Sequence, residues 1–190
     1  MNPLFESYDL AGTRLANRVV MAPMTRARAL NDIPDEHTVL YYAQRASAGL
    51  IISEGIPISR EGCGYLFNPG LYNDEQTQGW RRVTDAVHAK GGRIFAQLWH
   101  VGRVSHVSLQ PEGAAPVSSV ATVAARSNAY AWVETGKPGP MQASVPRALS
   151  TSEVQRITAD FVSAARRAIE AGFDGIELHG ANGYLFEQFL

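Results

Sequence analysis

The sequence is poor in cysteine, in net charge and in long hydrophobic runs. Cys63 is the single cysteine among 190 residues, so no disulfide can form within the chain, which is typical of a reducing compartment. Lys and Arg number 17 against 18 Asp and Glu, and this balance argues against nucleic acid or an anionic membrane surface as a partner. No run approaches the roughly 20 apolar residues that span a bilayer. We therefore expect a cytoplasmic protein.

Several motifs of common enzyme classes are also missing. There is no GxGxxG phosphate loop, no HExxH or CxxC metal motif and no GxSxG nucleophile elbow. The histidines at 37, 88, 100 and 106 lack the carboxylate and cysteine companions of a zinc site, so no metal is expected. An aldolase-type barrel is disfavoured because no predicted strand ends in a lysine that could form a Schiff base.

The chain does contain alternating strand and helix patterns. Alternation on both sides of Ala11-Gly12 predicts a hairpin over residues 1–17. Residues 18–26, an apolar run broken by Pro23, predict a first core strand that ends in a loop. Further strands are predicted over 50–54, 93–99 and 173–178, with helices over 34–48, 74–90 and 150–171. Glycines at 49, 91 and 172 are expected to end these helices. Such alternation indicates parallel strands with right-handed helical crossovers.

Two architectures fit this order of elements. A doubly wound sheet would carry a glycine-rich loop after its first strand, where this chain has Ala22-Pro-Met-Thr25, so the barrel is favoured. A complete (β/α)8 TIM barrel needs about 250 residues. We predict an α/β chain that supplies the first four βα units of such a barrel after the hairpin. Residues from about 100 to 149 show no sustained period and are predicted to be a long functional loop.

Polar residues follow the predicted strands at the ends where barrels build active sites. His179, Asn182 and Tyr184 come after the fourth strand, although a turn and ordinary packing would also explain them. Gln97 lies within an apolar run and needs hydrogen-bond partners, which a flat heteroaromatic ligand or the barrel backbone could supply equally well. Two further candidates stand at strand ends: Thr25 ends the first predicted strand and Gly55 ends the second.

Glu177 is a candidate general base next to His179. Strand alternation puts its side chain on the face opposite Ile176 and Leu178. A structural ion pair is the interpretation that the sequence favours.

Five blocks of sequence, taken in order, resemble the Old Yellow Enzyme family of flavin-dependent ene-reductases. They are NRVVMAPMTR (17–26), SEG (53–55), GY (64–65), FAQLWHVGR (95–103) and HGANGYLFEQFL (179–190). The resemblance covers the whole chain. It implies a TIM barrel that holds FMN at the carboxyl ends of its strands, with NAD(P)H as reductant and activated alkenes (enones, nitro compounds or quinones) as substrates.

The resemblance also implies roles for individual residues. His179 and Asn182 would bind the substrate oxygen, and Tyr184 would protonate the substrate carbon, which predicts net trans addition. His179 would also lie against the flavin. His179 and Asn182 stand where many members have two histidines, so the resemblance implies the general reaction but does not define the fine substrate preference. Flavin contacts are implied for Pro23, Met24, Thr25, Gly55 and Gln97, and contacts that shape the substrate pocket for Tyr65 and Trp99.

Members of this family continue through four more strands. We therefore expect residues 1–190 to be the N-terminal half of a single FMN-binding domain, active when a C-terminal half completes the barrel and inactive alone. The alternative is a non-catalytic half-barrel that serves only in assembly or complementation.

Overall fold

The computed structural model describes residues 2–133 and 136–190. Met1, in the predicted hairpin segment, and residues 134–135, in the predicted loop, lie outside the described residues. The α-helices are α1 (Glu36–Ala43), α2 (Asp74–His88) and α3 (Thr151–Glu170). The strands are β1 (Tyr8–Leu10), β2 (Thr13–Leu15), β3 (Val20–Met21), β4 (Leu50–Pro57), β5 (Ile94–Trp99), β6 (Val117–Ser118), β7 (Asn128–Trp132), β8 (Pro138–Gln142), β9 (Arg147–Ala148) and β10 (Gly175–Leu178).

A four-stranded parallel sheet in the order β10-β5-β4-β3 forms the centre of the fold. Helices α1, α2 and α3 connect its successive strands, as in the first half of a (β/α)8 barrel. The fourth βα unit is represented by its strand, because β10 is followed only by the 3-10 turn Glu187–Phe189 in the described chain. Strand pairing sets Gln97 opposite both Gly55 and Glu177.

Side-chain caps begin the three helices. Asp35, Asn73 and Ser150 each accept a hydrogen bond from a backbone N–H of the first turn, and Ser150 forms a full capping box with Glu153. Gly172, at φ +89°, follows α3 as predicted, because only glycine adopts this conformation without strain.

The predicted end of the first helix at Gly49 is wrong. Helix α1 ends at Ala43, and the chain continues through a turn to β4. Gly49 instead lies against the backbone of Asn17, whose carbonyl oxygen would be 1.9 Å from an added Cβ. Its N–H donates to the side chain of Asn17 at 2.9 Å. Glycine is therefore required here by a close approach of two chain segments.

The hydrophobic core lies between the sheet and its helices. Trp80 and Val83 of α2 are fully buried against Ile94 and Leu98 of β5. Burying each such side chain contributes roughly 1.5 to 3 kcal/mol. The other face of the sheet carries a second apolar cluster near the amino ends of its strands, where the hairpin packs. The residues in that second cluster are Leu10, Leu15, Leu50, Ile52 and Phe95.

The segment 100–149 lies between β5 and α3, but it is not a loop without secondary structure. Strands β6 and β9 pair in parallel, and β7 and β8 form an antiparallel ribbon. Sequence patterns predict strands poorly here, because the strands have two to five residues and partners far along the chain. Leu109, Ala129 and Ala131 form the small core of this excursion.

Strand β10 lies at the edge of the sheet, pairs with β5 on one side and has no partner strand on the other side among the described residues. Two of its apolar side chains are exposed. Ile176 is 36% exposed and Leu178 is 51% exposed. With α3 and the segment after β10 they line an apolar groove of about 490 Å³, which we call the edge groove. The edge-groove residues are Leu149, Val154, Ile157, Thr158, Phe161, Val162, Ala165, Ile176, Leu178, Leu185, Phe186 and Phe189.

Within the described residues, no helix has the length and apolar character needed to cross a membrane.

Candidate active site

A cleft of about 520 Å³ opens at the carboxyl ends of the parallel strands. Four chain segments that are distant in sequence meet there, because parallel strands all end on the same side of the sheet. The segments are the turn after β3 and the ends of β4, β5 and β10. The lining residues are Pro23, Met24, Thr25, Gly55, Gln97, Trp99, Glu177, Leu178, His179, Gly180, Ala181, Asn182 and Tyr184.

The cleft brings together the residues singled out in the sequence. Of these residues, Tyr65 alone does not line it directly, but its hydroxyl lies 3.0 Å from the Tyr184 hydroxyl. Leu178, the last residue of β10, and Gly180 and Ala181 in the loop that carries His179 also line the cleft and were not predicted. Their roles follow from that loop's position at the end of β10.

An aromatic cluster forms one wall of the cleft. Trp99 stacks on His179 with ring centroids 5.7 Å apart and on Tyr65 at 5.4 Å. Tyr184 meets Trp99 edge-on at 4.8 Å. Burial raises the pKa of Tyr184, and its hydrogen bond with Tyr65 adds to the rise. The Tyr184 phenol is therefore protonated and held in place at neutral pH.

His179 is neutral in the folded protein at neutral pH. Burial lowers its pKa, which the nearby Glu177 carboxylate partly opposes. The backbone N–H of Ala181 donates to Nδ1 at 3.4 Å, so the neutral ring carries its proton on Nε2. The backbone N–H of His179 also donates to Leu98 at 3.0 Å, which fixes the start of this loop against β5.

A tight turn presents Asn182 at the mouth of the cleft. Asn182 has φ +60° and Gly183 has φ +75°, both in the left-handed region that these residue types tolerate best. The Gln188 amide donates to the Gly183 carbonyl at 2.8 Å and to the Val101 carbonyl at 3.0 Å, which ties this turn to the segment after β5. The Asn182 carboxamide is exposed and makes no hydrogen bond with the described residues.

Gln97 and Glu177 form the polar floor of the cleft. The Gln97 Nε2 donates to the Glu177 carboxylate at 2.7 Å, and the Gln97 backbone N–H donates to the Ser53 hydroxyl at 3.0 Å. The expected ion pair of Glu177 is wrong, because no salt bridge among the described residues includes it. Alternation placed Glu177 on the correct face, but only strand register could show that Gln97 lies opposite.

A buried carboxylate anchors the turn after β3. The Arg26 backbone N–H donates to Glu54 at 3.1 Å, and the Tyr42 hydroxyl donates to the other carboxylate oxygen at 3.3 Å. Burial raises the pKa of Glu54 to about 7, although both hydrogen bonds oppose the rise. The neighbouring Gly55 has no room for a side chain, because an added Cβ would lie 2.5 Å from the Trp99 ring.

The cleft suits a flat ring with polar edges. Its floor and mouth offer the Gln97 carbonyl oxygen, the Thr25 hydroxyl and the Asn182 amide, none of which hydrogen-bonds another described residue. An aromatic wall and such edge partners fit a flavin ring. In the part of the chain that the structure describes, no three His, Cys, Asp or Glu side chains are grouped to hold a metal ion.

Known proteins are similar to this chain in both sequence and fold. A 12-oxophytodienoate reductase of Oryza sativa subsp. japonica is 50% identical over 190 residues, which are 99% of this chain and 47% of the relative. Morphinone reductase in complex with tetrahydroNAD superposes with a TM-score of 0.97 at 48% identity, over 100% of this chain and 52% of that one. The old yellow enzyme homologue from Zymomonas mobilis gives a TM-score of 0.88 at 44% identity, over 96% of this chain and 49% of that one.

The chain thus spans about half the length of the relatives it matches. Its fold is that of the first half of their TIM barrel. Residues 3–190 match the family described as NADH:flavin oxidoreductase / NADH oxidase. The chain therefore belongs to this family, which confirms the resemblance to the Old Yellow Enzyme group.

Proposed function

We propose that this chain carries the flavin-contact and substrate-contact residues of an NAD(P)H-dependent, FMN-containing ene-reductase. The observation that supports this most directly is the single cleft in which the turn 23–25, Gly55 and Gln97 lie beside His179, Asn182 and Tyr184. The substrates are activated alkenes such as enones, nitro compounds or quinones. A cytoplasmic location remains our prediction.

FMN would be held by five residues of the cleft and bordered by His179. The five are Pro23, Met24, Thr25, Gly55 and Gln97. When bound and reduced by NAD(P)H, FMN would be the hydride donor for the β-carbon of the alkene. Thr25 and Gln97 would offer polar groups to the edge of the ring, and the absence of a side chain at Gly55 lets the Trp99 ring pack against the end of β4.

His179 and Asn182 would bind the oxygen that activates the alkene. A neutral imidazole with its proton on Nε2 and a carboxamide NH2 both donate hydrogen bonds. Negative charge grows on that oxygen during the reaction, so fixed donors stabilise the transition state more than the bound substrate. In sites of this type one donor contributes about 2.7 to 4 kcal/mol.

Tyr184 would protonate the α-carbon. Its raised pKa keeps the phenol protonated until a strongly basic carbon is formed next to it. Tyr65 and Trp99 hold the phenol ring in place and shape the substrate pocket.

The active unit is proposed to include a C-terminal half of the barrel, on a second chain or on a further segment. The relatives are about twice as long, and the edge groove exposes apolar side chains where a fifth strand and its helix would pack. The same groove also supports the alternative, a half-barrel that acts only in assembly or complementation.

The decisive experiment compares the purified protein alone with its mixture with a C-terminal half from a relative. Yellow colour and anaerobic bleaching by NADPH, alone or in the mixture, support the flavoenzyme. A mixture that associates but stays colourless supports the assembly unit. In the active preparation, Tyr184→Phe is expected to leave flavin reduction unchanged and to slow alkene reduction at least tenfold. Equal slowing of both half-reactions would contradict the role of Tyr184.

A further inference from the structure

In the hydrogen bond between Gln97 and Glu177, the donor and the acceptor are defined. Their strands are neighbours, the two residues lie directly opposite each other, and the Nε2 to Oε1 distance is 2.7 Å. An ionised carboxylate accepts hydrogen bonds and cannot donate them. The NH2 group of Gln97 must therefore face Glu177, and its carbonyl oxygen must point elsewhere.

The Gln97 side chain has little conformational freedom. Its residue is 6% exposed, and its backbone is fixed between β4 and β10 with the N–H bonded to Ser53. Rotation of the terminal carboxamide by half a turn is the change that this environment most readily permits. Such a flip would exchange an acceptor for a donor in the cleft. A charge-assisted hydrogen bond is roughly twice as strong as a neutral one, so Glu177 opposes the flip.

Other roles for Glu177 have less support in the geometry. It forms no salt bridge with the described residues, and its hydrogen bond to Gln97 is its single side-chain hydrogen bond among them. Its effect on His179 is electrostatic and smaller than that of burial.

We propose that Glu177 is a positioning residue that keeps the Gln97 carbonyl oxygen turned into the cleft as a hydrogen-bond acceptor. The site then selects planar ligands that carry an N–H on the ring edge facing Gln97, which is a property of the isoalloxazine ring. The inference rests on the proposed function for the identity of the ring, but the orientation of Gln97 does not depend on it.

The first test needs no ligand. The side-chain NH2 of Gln97 is assigned in ¹⁵N–¹H spectra from its absence in Gln97→Leu. In the wild type we expect one of its protons to be shifted downfield and to exchange with solvent at least tenfold more slowly than in Glu177→Leu. Glu177→Gln keeps an acceptor oxygen and should give intermediate values. Gln97 signals that are identical in the wild type and Glu177→Leu would overturn the inference.

The second test is a double-mutant cycle on FMN affinity, with the chain combined with the C-terminal half. We expect Glu177→Leu to weaken binding about tenfold, Glu177→Gln less than threefold, and Glu177→Leu to have no further effect in Gln97→Leu. Equal losses in both backgrounds would show that Glu177 acts independently of Gln97. Exposed Glu112, which makes no side-chain hydrogen bond with the described residues, provides the control Glu112→Gln, expected to be silent.

The two tests separate the two proposals. If the wild type binds no FMN while the Gln97 signals respond to Glu177, the proposed function fails and the positioning role stands. Circular dichroism of Glu177→Leu and Glu177→Gln checks the fold, and Glu177→Ala, which also removes the acceptor, replaces the leucine variant in both tests if that variant unfolds.

Discussion

Replacing Glu54 by glutamine is expected to change how the stability of the protein depends on pH. Glu54 is 2% exposed, and burial raises its pKa from 4.5 to about 7. One pKa unit corresponds to about 1.4 kcal/mol, so the folded state binds this proton more tightly than the unfolded chain by roughly 3 kcal/mol.

The sign follows from linkage. A carboxyl with a raised pKa in the folded state binds its proton more tightly there than in the unfolded chain. Its contribution to stability is therefore fully present below pH 4.5 and is lost as the pH rises through about 7. Glutamine cannot titrate but still accepts from the Arg26 N–H. The wild type should lose roughly 3 kcal/mol relative to Glu54→Gln between pH 4.5 and pH 8.

Urea unfolding at pH 4.5, 5.5, 6.5, 7.5 and 8, followed by tryptophan fluorescence, measures this difference, and other titrating groups cancel in it. Glu75→Gln on the exposed side of α2 is the matched control and should give no pH-dependent difference. Parallel stability curves for the wild type and Glu54→Gln would refute the reasoning, as would a wild type that gains stability relative to Glu54→Gln as the pH rises.

Three further substitutions test the packing around the site and the sheet. Gly55→Ala puts a Cβ 2.5 Å from the Trp99 ring, so we expect a loss of about 1 to 3 kcal/mol and altered tryptophan fluorescence. Asp174→Ala removes the acceptor 2.9 Å from the Ile94 N–H and should cost about 1 to 3 kcal/mol in urea unfolding, and an unchanged free energy of unfolding would contradict this expectation. Ser150→Ala removes the cap of α3 and should cost about 0.5 to 2 kcal/mol, whereas Ser150→Asp should keep stability near the wild type.

Sequence patterns predicted the parts of the site that depend on strand ends. The residues after an apolar run lie at the carboxyl end of a strand whatever its neighbours are, so Thr25, Gly55 and His179 could be grouped from the sequence. The same reasoning failed for Glu177, whose partner Gln97 lies 80 residues away. Tyr65 and Tyr184 are 119 residues apart, and the contact between their hydroxyls depends on the path of the segment after β4.

The amino-acid sequence by itself determined the alternation of strands and helices, the caps of α3 and the family of the chain. These are properties of neighbouring residues, because a period of two or 3.6 and a capping side chain act over a few positions. The tertiary structure alone decided the partners of Gln97, the buried environment of Glu54 and the close approach at Gly49. Each depends on register or packing between distant segments, where a shift of one residue would turn a side chain to the opposite face of the sheet.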